Sequence, residues 1–123
     1  MGLRILVVDD ALFMRNMLKD IFQRAGFEVI GEATNGVEAI ELCRQLQPDL
    51  VTMDIVMPLK SGIEALQEII AAQPAMRVVM CSALGQEALV LEAVQAGARD
   101  FIVKPFKEDR VVEVVRRVAG QPG

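Results

Sequence analysis

The stretch ILVVDD at residues 5–10 decides the fold, because four apolar residues run directly into two carboxylates. The pattern recurs at 50–54, where Leu-Val-Thr-Met precedes Asp54, and at 101–104, where Phe-Ile-Val precedes Lys104. Short apolar runs that stop at a polar residue are typical of buried strands. Because parallel strands bring their carboxyl ends to one sheet edge, the sequence predicts an acidic pocket with a single cation there.

Strand-like and helix-period segments alternate five times along the chain, which predicts an α/β fold. Two helices open on recognisable capping pairs, Asn35 with Glu38 and Ser61 with Glu64. We predict a doubly wound sheet of five parallel strands with helices on both faces. The predicted strands cover 3–8, 27–33, 49–54, 76–81 and 99–103, and the first, fourth and fifth helices cover 12–25, 85–96 and 107–118.

Length and composition predict one domain over residues 1–120, followed by a short C-terminal tail at 121–123. No apolar run approaches the ~20 residues of a membrane span, and the N-terminus lacks the pattern of a signal peptide, so we expect a cytoplasmic protein. A net charge of −4 argues against a nucleic-acid partner. Cys43 and Cys81 have no zinc-type spacing and no histidine to join them, which favours two buried thiols.

The carboxylates Asp9, Asp10 and Asp54 are predicted to hold a hard cation, with Mg²⁺ preferred, since the set offers oxygen ligands without His or Cys. Two carboxylates ~4 Å apart repel by about 4 kcal/mol at an effective dielectric of 20, so a cluster of three calls for positive charge. Asp54 is then suited to accept a phosphoryl group, with Lys104 holding its oxygens.

Each of these residues also has an ordinary structural interpretation. Asp9 and Asp10 could cap a helix, and Asp54 could simply terminate a strand. Lys104 could be a surface lysine, and Ser82, which directly follows the fourth predicted strand, could be a loop serine or a hydroxyl donor to an anion. With no histidine in the chain, a Ser-His-Asp or Cys-His triad is excluded.

Four motifs stand at the predicted strand ends, VVDD at 7–10, MDxxMP at 53–58, CSA at 81–83 and FIVKPF at 101–106. Together they resemble the receiver domain of two-component response regulators, most of all its chemotaxis members, over essentially the whole chain. The resemblance implies a flavodoxin-like fold with strand order 2-1-3-4-5. It also implies a cis peptide bond between Lys104 and Pro105.

The resemblance implies a role for each matching residue. Asp54 would accept phosphate from a histidine kinase, and Ser82 and Lys104 would contact the phosphoryl group. Mg²⁺ would be bound directly by Asp10, Asp54 and the backbone carbonyl of Val56. Asp9 would bind it through a water molecule. The protein would catalyse only its own phosphorylation and dephosphorylation, so it is not expected to be an enzyme in the ordinary sense.

Two positions depart from the family pattern. Phe101 stands where many chemotaxis members carry tyrosine, so a hydrogen bond from that hydroxyl is lost. Phe101 would be the aromatic residue that swings inward when Ser82 is drawn to the phosphate. Val56 stands where well-studied members carry an asparagine that positions the hydrolytic water, which bears on the lifetime of the phosphorylated form.

The fourth predicted helix is apolar nearly all round, a pattern that fits deeper burial or tolerance of alanine as well as a partner surface. The family resemblance favours the partner surface. We predict that Val90 and Phe101 belong to a surface made by this helix, the last strand and the last helix. The expected partners are the histidine kinase, a target such as the flagellar motor switch protein, and a phosphatase, with neither nucleic acid binding nor membrane insertion.

The leading hypothesis is therefore a stand-alone response regulator that signals by phosphorylation-dependent binding. The alternative is a stand-alone receiver that passes its phosphate onward in a phosphorelay. A haloacid-dehalogenase-type phosphatase is disfavoured because Val56 occupies the position of its second aspartate. A flavin-binding domain is disfavoured because no Tyr or Trp is present to stack on the ring.

Overall fold

The computed structural model describes residues 2–120, in which five strands alternate with five helices as predicted. The predicted tail at 121–123 lies outside the described residues. Within 2–120, no helix is long and apolar enough to cross a membrane. The elements are β1 Arg4–Val8, α1 Leu12–Arg24, β2 Glu28–Ala33, α2 Gly36–Leu46, β3 Leu50–Asp54, α3 Gly62–Ala72, β4 Val78–Ser82, α4 Glu87–Gln95, β5 Asp100–Val103 and α5 Glu108–Ala119.

The strands form one parallel sheet in the order β2-β1-β3-β4-β5, which confirms the predicted topology. In register, Val8 pairs with Met53, so the residues that follow β1 lie beside the end of β3. Asp54 pairs with Cys81 in β4. The carboxyl ends of β1, β3, β4 and β5 therefore reach the same edge of the sheet.

Two apolar layers, one on each face of the sheet, make up the core. Residues of α2, α3 and α4 pack on one face, where Ala39, Leu66 and Ala93 are buried. Residues of α1 and α5 pack on the other, where Phe22 and Val115 are buried. Both cysteines are buried and free, as expected. Burial on both faces explains why these strands read as continuous apolar runs.

The two predicted capping pairs differ in detail. Ser61 and Glu64 form a reciprocal capping box at the start of α3. Asn35 accepts a hydrogen bond from the Glu38 backbone N–H at 2.9 Å. The Glu38 carboxylate, however, accepts from the N–H and hydroxyl of Thr34, both at 2.7 Å, so the second half of that pairing lies one residue earlier. Both arrangements satisfy helix N-terminal N–H groups.

Thr52 in β3 carries the one buried side-chain polar atom within residues 2–120 that has no hydrogen-bond partner, its Oγ1. The residue is fully buried between Val7 and Val79. Leaving a buried hydroxyl unsatisfied costs about 1–3 kcal/mol. We expect Thr52→Val, which keeps the shape, to raise the free energy of unfolding by about 1 kcal/mol.

Urea unfolding followed by circular dichroism measures this change, since the chain has no Trp or Tyr for fluorescence. Val79→Thr, the reverse exchange at the neighbouring buried position, is the matched control and should destabilise. A loss of stability in Thr52→Val would show that the hydroxyl is bonded in solution.

Candidate functional site

Three carboxylates meet at the edge of the sheet where β1 and β3 end. Carboxylate oxygens of Asp9, Asp10 and Asp54 all lie within 4.8 Å of one another. Asp9 and Asp54 are buried, whereas Asp10 is exposed. The predicted convergence of these residues is therefore observed, and the cluster opens to solvent on the side of Asp10.

Lys104, which directly follows β5, brings a cation into this cluster. Its Nζ lies 3.0 Å from Asp9 Oδ2 and 3.3 Å from Asp54 Oδ2. The peptide bond between Lys104 and Pro105 is cis, as the family resemblance implied. The lysine therefore reaches across the end of β4 to Asp54, and it contacts Asp9 as well.

Burial and neighbouring charges shift the pKa values of Asp54 and Lys104. Loss of hydration, with repulsion from Asp9, raises the pKa of Asp54 to about 6, although the Lys104 ammonium acts in the opposite direction. Burial disfavours the charged form of Lys104, but its bonds to Asp9 and Asp54 outweigh this and raise its pKa. One lysine thus does not fully offset the three carboxylates.

The donor set fits a hard divalent cation. Mg²⁺ in proteins is bound by oxygen, usually by one or two carboxylates together with several water molecules. The three carboxylates offer oxygens within 4.8 Å of one another. No softer donor is part of this cluster. The charge that Lys104 leaves unbalanced favours a cation at the exposed side, next to Asp10.

Asp9 is the most constrained member of the cluster. Its Oδ1 accepts from the Ala11 N–H at 2.9 Å, and its Oδ2 accepts from Lys104. Both carboxylate oxygens therefore have protein partners already. This arrangement is consistent with the expected water-mediated role of Asp9. It does not cap α1, whose first turn has no side-chain cap.

The loop after β3 positions Val56 and anchors Asp54. The Ile55 N–H donates to the Cys81 carbonyl at 3.2 Å, and the Gly62 N–H donates to the Ile55 carbonyl at 2.8 Å. Val56 follows this fixed segment with its side chain largely exposed. Its location, two residues beyond Asp54, suits the predicted role of its backbone carbonyl, which stays a prediction.

Ser82 ends β4, between the strands that carry Asp54 and Lys104. It is buried, and its carbonyl accepts from the Lys104 N–H at 2.7 Å. Ser82 also lines a groove of about 340 Å³ that runs along α4 and β5. Val90 and Phe101, the two predicted surface residues, line the same groove. Ser82 therefore lies both at the edge of the carboxylate cluster and in the groove that contains the predicted partner-surface residues.

Sequence reasoning missed an arginine that bonds to the backbone of the site. Arg15 belongs to the polar side of α1 by its spacing, yet its guanidinium donates to the Asp9 carbonyl at 2.8 Å and to Glu32 at 3.0 Å. Its side chain is only 12% exposed. Helical periodicity assigns a residue to a face of the helix, but it does not reveal a bond to a backbone carbonyl six residues earlier. Among the described residues, Lys104 is the cation that pairs with the carboxylates of the cluster.

Comparison with known proteins gives one consistent family. Residues 5–116 match the family described as the response regulator receiver domain. The chain is 58% identical over 119 residues to the chemotaxis protein CheY of Thermotoga maritima, covering 97% of this chain and 99% of that one.

Solved structures agree with the sequence relatives. The response regulator domain of Thermotoga maritima CheB superposes with a TM-score of 0.88 at 39% identity, over the whole of both chains. A CheY solved in a complex with CheX, BeF3 and magnesium from Borrelia burgdorferi gives 0.90 at 39% identity, over 94% of this chain and 88% of that one. The first of these similarities covers the whole chain and therefore every strand of the sheet.

Proposed function

This chain belongs to the response regulator receiver domain family, and from that premise we propose that it is a stand-alone response regulator phosphorylated on Asp54. The observation that carries the proposal is the convergence of three carboxylates and one lysine from three strand ends. Receiver domains of this kind are signalling proteins rather than classical enzymes. The expected cytoplasmic location stays a prediction, as do the domain limits at residue 120.

Asp54 is suited to be the phosphoacceptor by its position and its ionisation. A carboxylate oxygen would form a bond to phosphorus while the bond from phosphorus to the donor breaks, and the donor leaves with that electron pair. In the metal-free protein, a pKa of about 6 leaves Asp54 mostly ionised at neutral pH, and the ionised carboxylate is the form that can attack phosphorus.

The residues around Asp54 are assigned to Mg²⁺ binding and to contacts with the phosphoryl oxygens. We assign Asp10, Asp54 and the Val56 carbonyl to Mg²⁺ binding, with Asp9 acting through water. When bound, Mg²⁺ would offset charge on the transferring group. Lys104, already 3.3 Å from Asp54, would hold a phosphoryl oxygen, and the Ser82 hydroxyl would donate to another.

The phosphoacceptor is tested with a small acyl phosphate and Mg²⁺, followed by intact mass measurement. We expect one phosphoryl adduct on the protein and none on Asp54→Asn. Asp49→Asn, which exchanges another carboxylate near β3 but outside the cluster, is the matched control and should keep the adduct. An adduct of equal yield on Asp54→Asn would overturn the assignment.

We infer that output comes from the groove of α4 and β5. Phosphorylation adds about −1.5 to −2 charge beside Lys104 and Ser82. Lys104 lines a second, smaller groove that also contains Phe101 and the cations Lys107 and Arg110. A partner segment with an apolar face and flanking acidic residues is complementary to this pair of grooves. The kinase, a flagellar motor switch protein and a phosphatase are the proposed partners.

Val94 provides the cleanest test of this surface, because it lines the groove and is 45% exposed. Val90 and Phe101 are half-buried against the core, so changing them would also cost stability. We expect Val94→Ser to weaken binding of the phosphorylated protein to a purified motor switch protein about tenfold, the effect of losing about 1.4 kcal/mol of apolar contact.

The control is Val37→Ser on α2, where a valine is 51% exposed outside the groove, and binding should be unchanged. Equal binding by both variants would argue against the groove. If the phosphorylated wild-type protein does not bind the switch protein but transfers its phosphate to a histidine phosphotransferase, the phosphorelay alternative is correct.

A further inference from the structure

Arg15 links three parts of the molecule from the second turn of α1. Its Nη1 donates to the backbone carbonyl of Asp9 at 2.8 Å, and its Nε donates to Glu32 of β2 at 3.0 Å. A guanidinium can make two such bonds in fixed directions, which an ammonium cannot. With its side chain only 12% exposed, Arg15 is held in one orientation.

The bond from Arg15 completes the fixation of Asp9. The Asp9 N–H donates to the Ala33 carbonyl at 3.1 Å, and both carboxylate oxygens have partners in Ala11 and Lys104. The carbonyl that Arg15 holds belongs to the peptide between Asp9 and Asp10. Arg15 therefore sets the plane of the peptide from which Asp10 projects into the cluster.

The charge of Arg15 works against metal binding, and this separates two possible roles. A cation near the three carboxylates repels a second cation, so removing its charge alone would tighten Mg²⁺ binding. Losing a partner that orients a metal ligand has the opposite sign and weakens binding, typically by 10–100-fold. The direction of the change in affinity therefore distinguishes positioning from simple electrostatics.

We propose that Arg15 is a positioning residue for the metal site, holding the Asp9–Asp10 peptide so that Asp10 faces Asp54. This inference rests on the proposed function, because it concerns the Mg²⁺ site assigned there. It predicts that the α1–β2 surface, through Glu32 and Arg15, contributes to metal affinity without touching the metal.

Isothermal titration of the full chain with Mg²⁺ tests the proposal through the dissociation constant. We expect Arg15→Met to raise this constant about tenfold. Lys19→Met is the matched control, because Lys19 lies one turn further along α1 and contacts the same Glu32 at 2.9 Å. Its dissociation constant should stay within about twofold of wild type, since the lysine makes no bond to Asp9.

Thermal unfolding in EDTA reports any structural loss separately from metal affinity. If Arg15→Met does not fold, Arg15→Lys takes its place, and we expect a weakening of at least about threefold despite the retained charge. An unchanged or tighter dissociation constant in the folded Arg15 variant would overturn the proposal. So would equal weakening in Lys19→Met.

Failure of the proposed function has a different signature. If wild-type protein shows no Mg²⁺ binding, or if Asp10→Asn binds as tightly as wild type, the metal site itself is wrong. If the wild type binds, Asp10→Asn does not, and Arg15→Met equals the wild type, only the role of Arg15 fails.

Discussion

Gly62→Ala is expected to destabilise the protein by about 3 kcal/mol or more, because the site loop has no room for a methyl group. A Cβ on Gly62 would lie 1.9 Å from the Asp54 carbonyl oxygen and 3.0 Å from the Ile55 Cα. Both neighbours are backbone atoms of β3 and its continuation, and they cannot rotate away. The Gly62 N–H also donates to the Ile55 carbonyl at 2.8 Å, so moving α3 outward would break that bond.

The measurement is urea unfolding followed by circular dichroism, with Gly85→Ala as the control. Gly85 has φ +88° and open space around its Cβ position, so alanine there carries only the conformational cost of about 1 kcal/mol. If the free energy of unfolding falls no further in Gly62→Ala than in Gly85→Ala, the close approach of α3 to Asp54 is contradicted. The phosphorylation yield of Gly62→Ala should also fall, because the displaced carbonyl belongs to Asp54, the proposed phosphoacceptor.

Asp54→Asn is expected to stabilise the metal-free protein at neutral pH. A rise of the Asp54 pKa from 3.8 to about 6 corresponds to about 3 kcal/mol at 1.36 kcal/mol per unit. We expect about half of this, because the carboxylate is partly screened by solvent. The pKa is higher in the folded than in the unfolded chain, so the folded protein loses stability as pH rises through roughly 4 to 6. The penalty is fully present above pH 6 and absent below about pH 4.

Unfolding of both proteins in EDTA at pH 4 and at pH 7.5 checks this sign. The variant should be more stable at pH 7.5 and equal to wild type at pH 4. Asp10→Asn is the control, because its exposed carboxylate keeps its hydration and its removal should bring a smaller gain. Added Mg²⁺ should stabilise the wild type more than Asp54→Asn. A variant that is less stable than wild type at pH 7.5 would mean that the bond to Lys104 outweighs burial.

The parts of the site that end strands could be predicted from sequence. Asp9, Asp54 and Lys104 each interrupt an apolar run, and the parallel topology alone brings such positions to one edge. Their placement at one edge follows from the alternation of strands and helices, which is encoded locally, whereas their contact also depends on which strands are neighbours. The cis bond before Pro105 and the strand order followed from the family resemblance rather than from the residues.

Other parts depend on contacts that local patterns do not encode. The bond from Arg15 to the Asp9 carbonyl and the approach of Gly62 to Asp54 involve specific backbone atoms, which periodicity does not identify. Leu59, in the loop after β3, adopts φ +66°, a conformation that usually signals glycine or asparagine in a sequence. The capping pair of Asn35 and Glu38 was also only half predicted from local sequence. The Glu38 carboxylate accepts from the backbone N–H of Thr34 instead of that of Asn35.

The central claim is that Asp10 and its neighbours hold a divalent cation which Asp54 needs to accept phosphate. The initial rate of adduct formation from a small acyl phosphate, measured across a Mg²⁺ titration, tests it most directly. We predict a rate that saturates with Mg²⁺ in the wild type, requires a much higher Mg²⁺ concentration in Asp10→Asn, and vanishes in EDTA. Adduct formation on Asp54 at the same rate in EDTA as in Mg²⁺ would contradict the account.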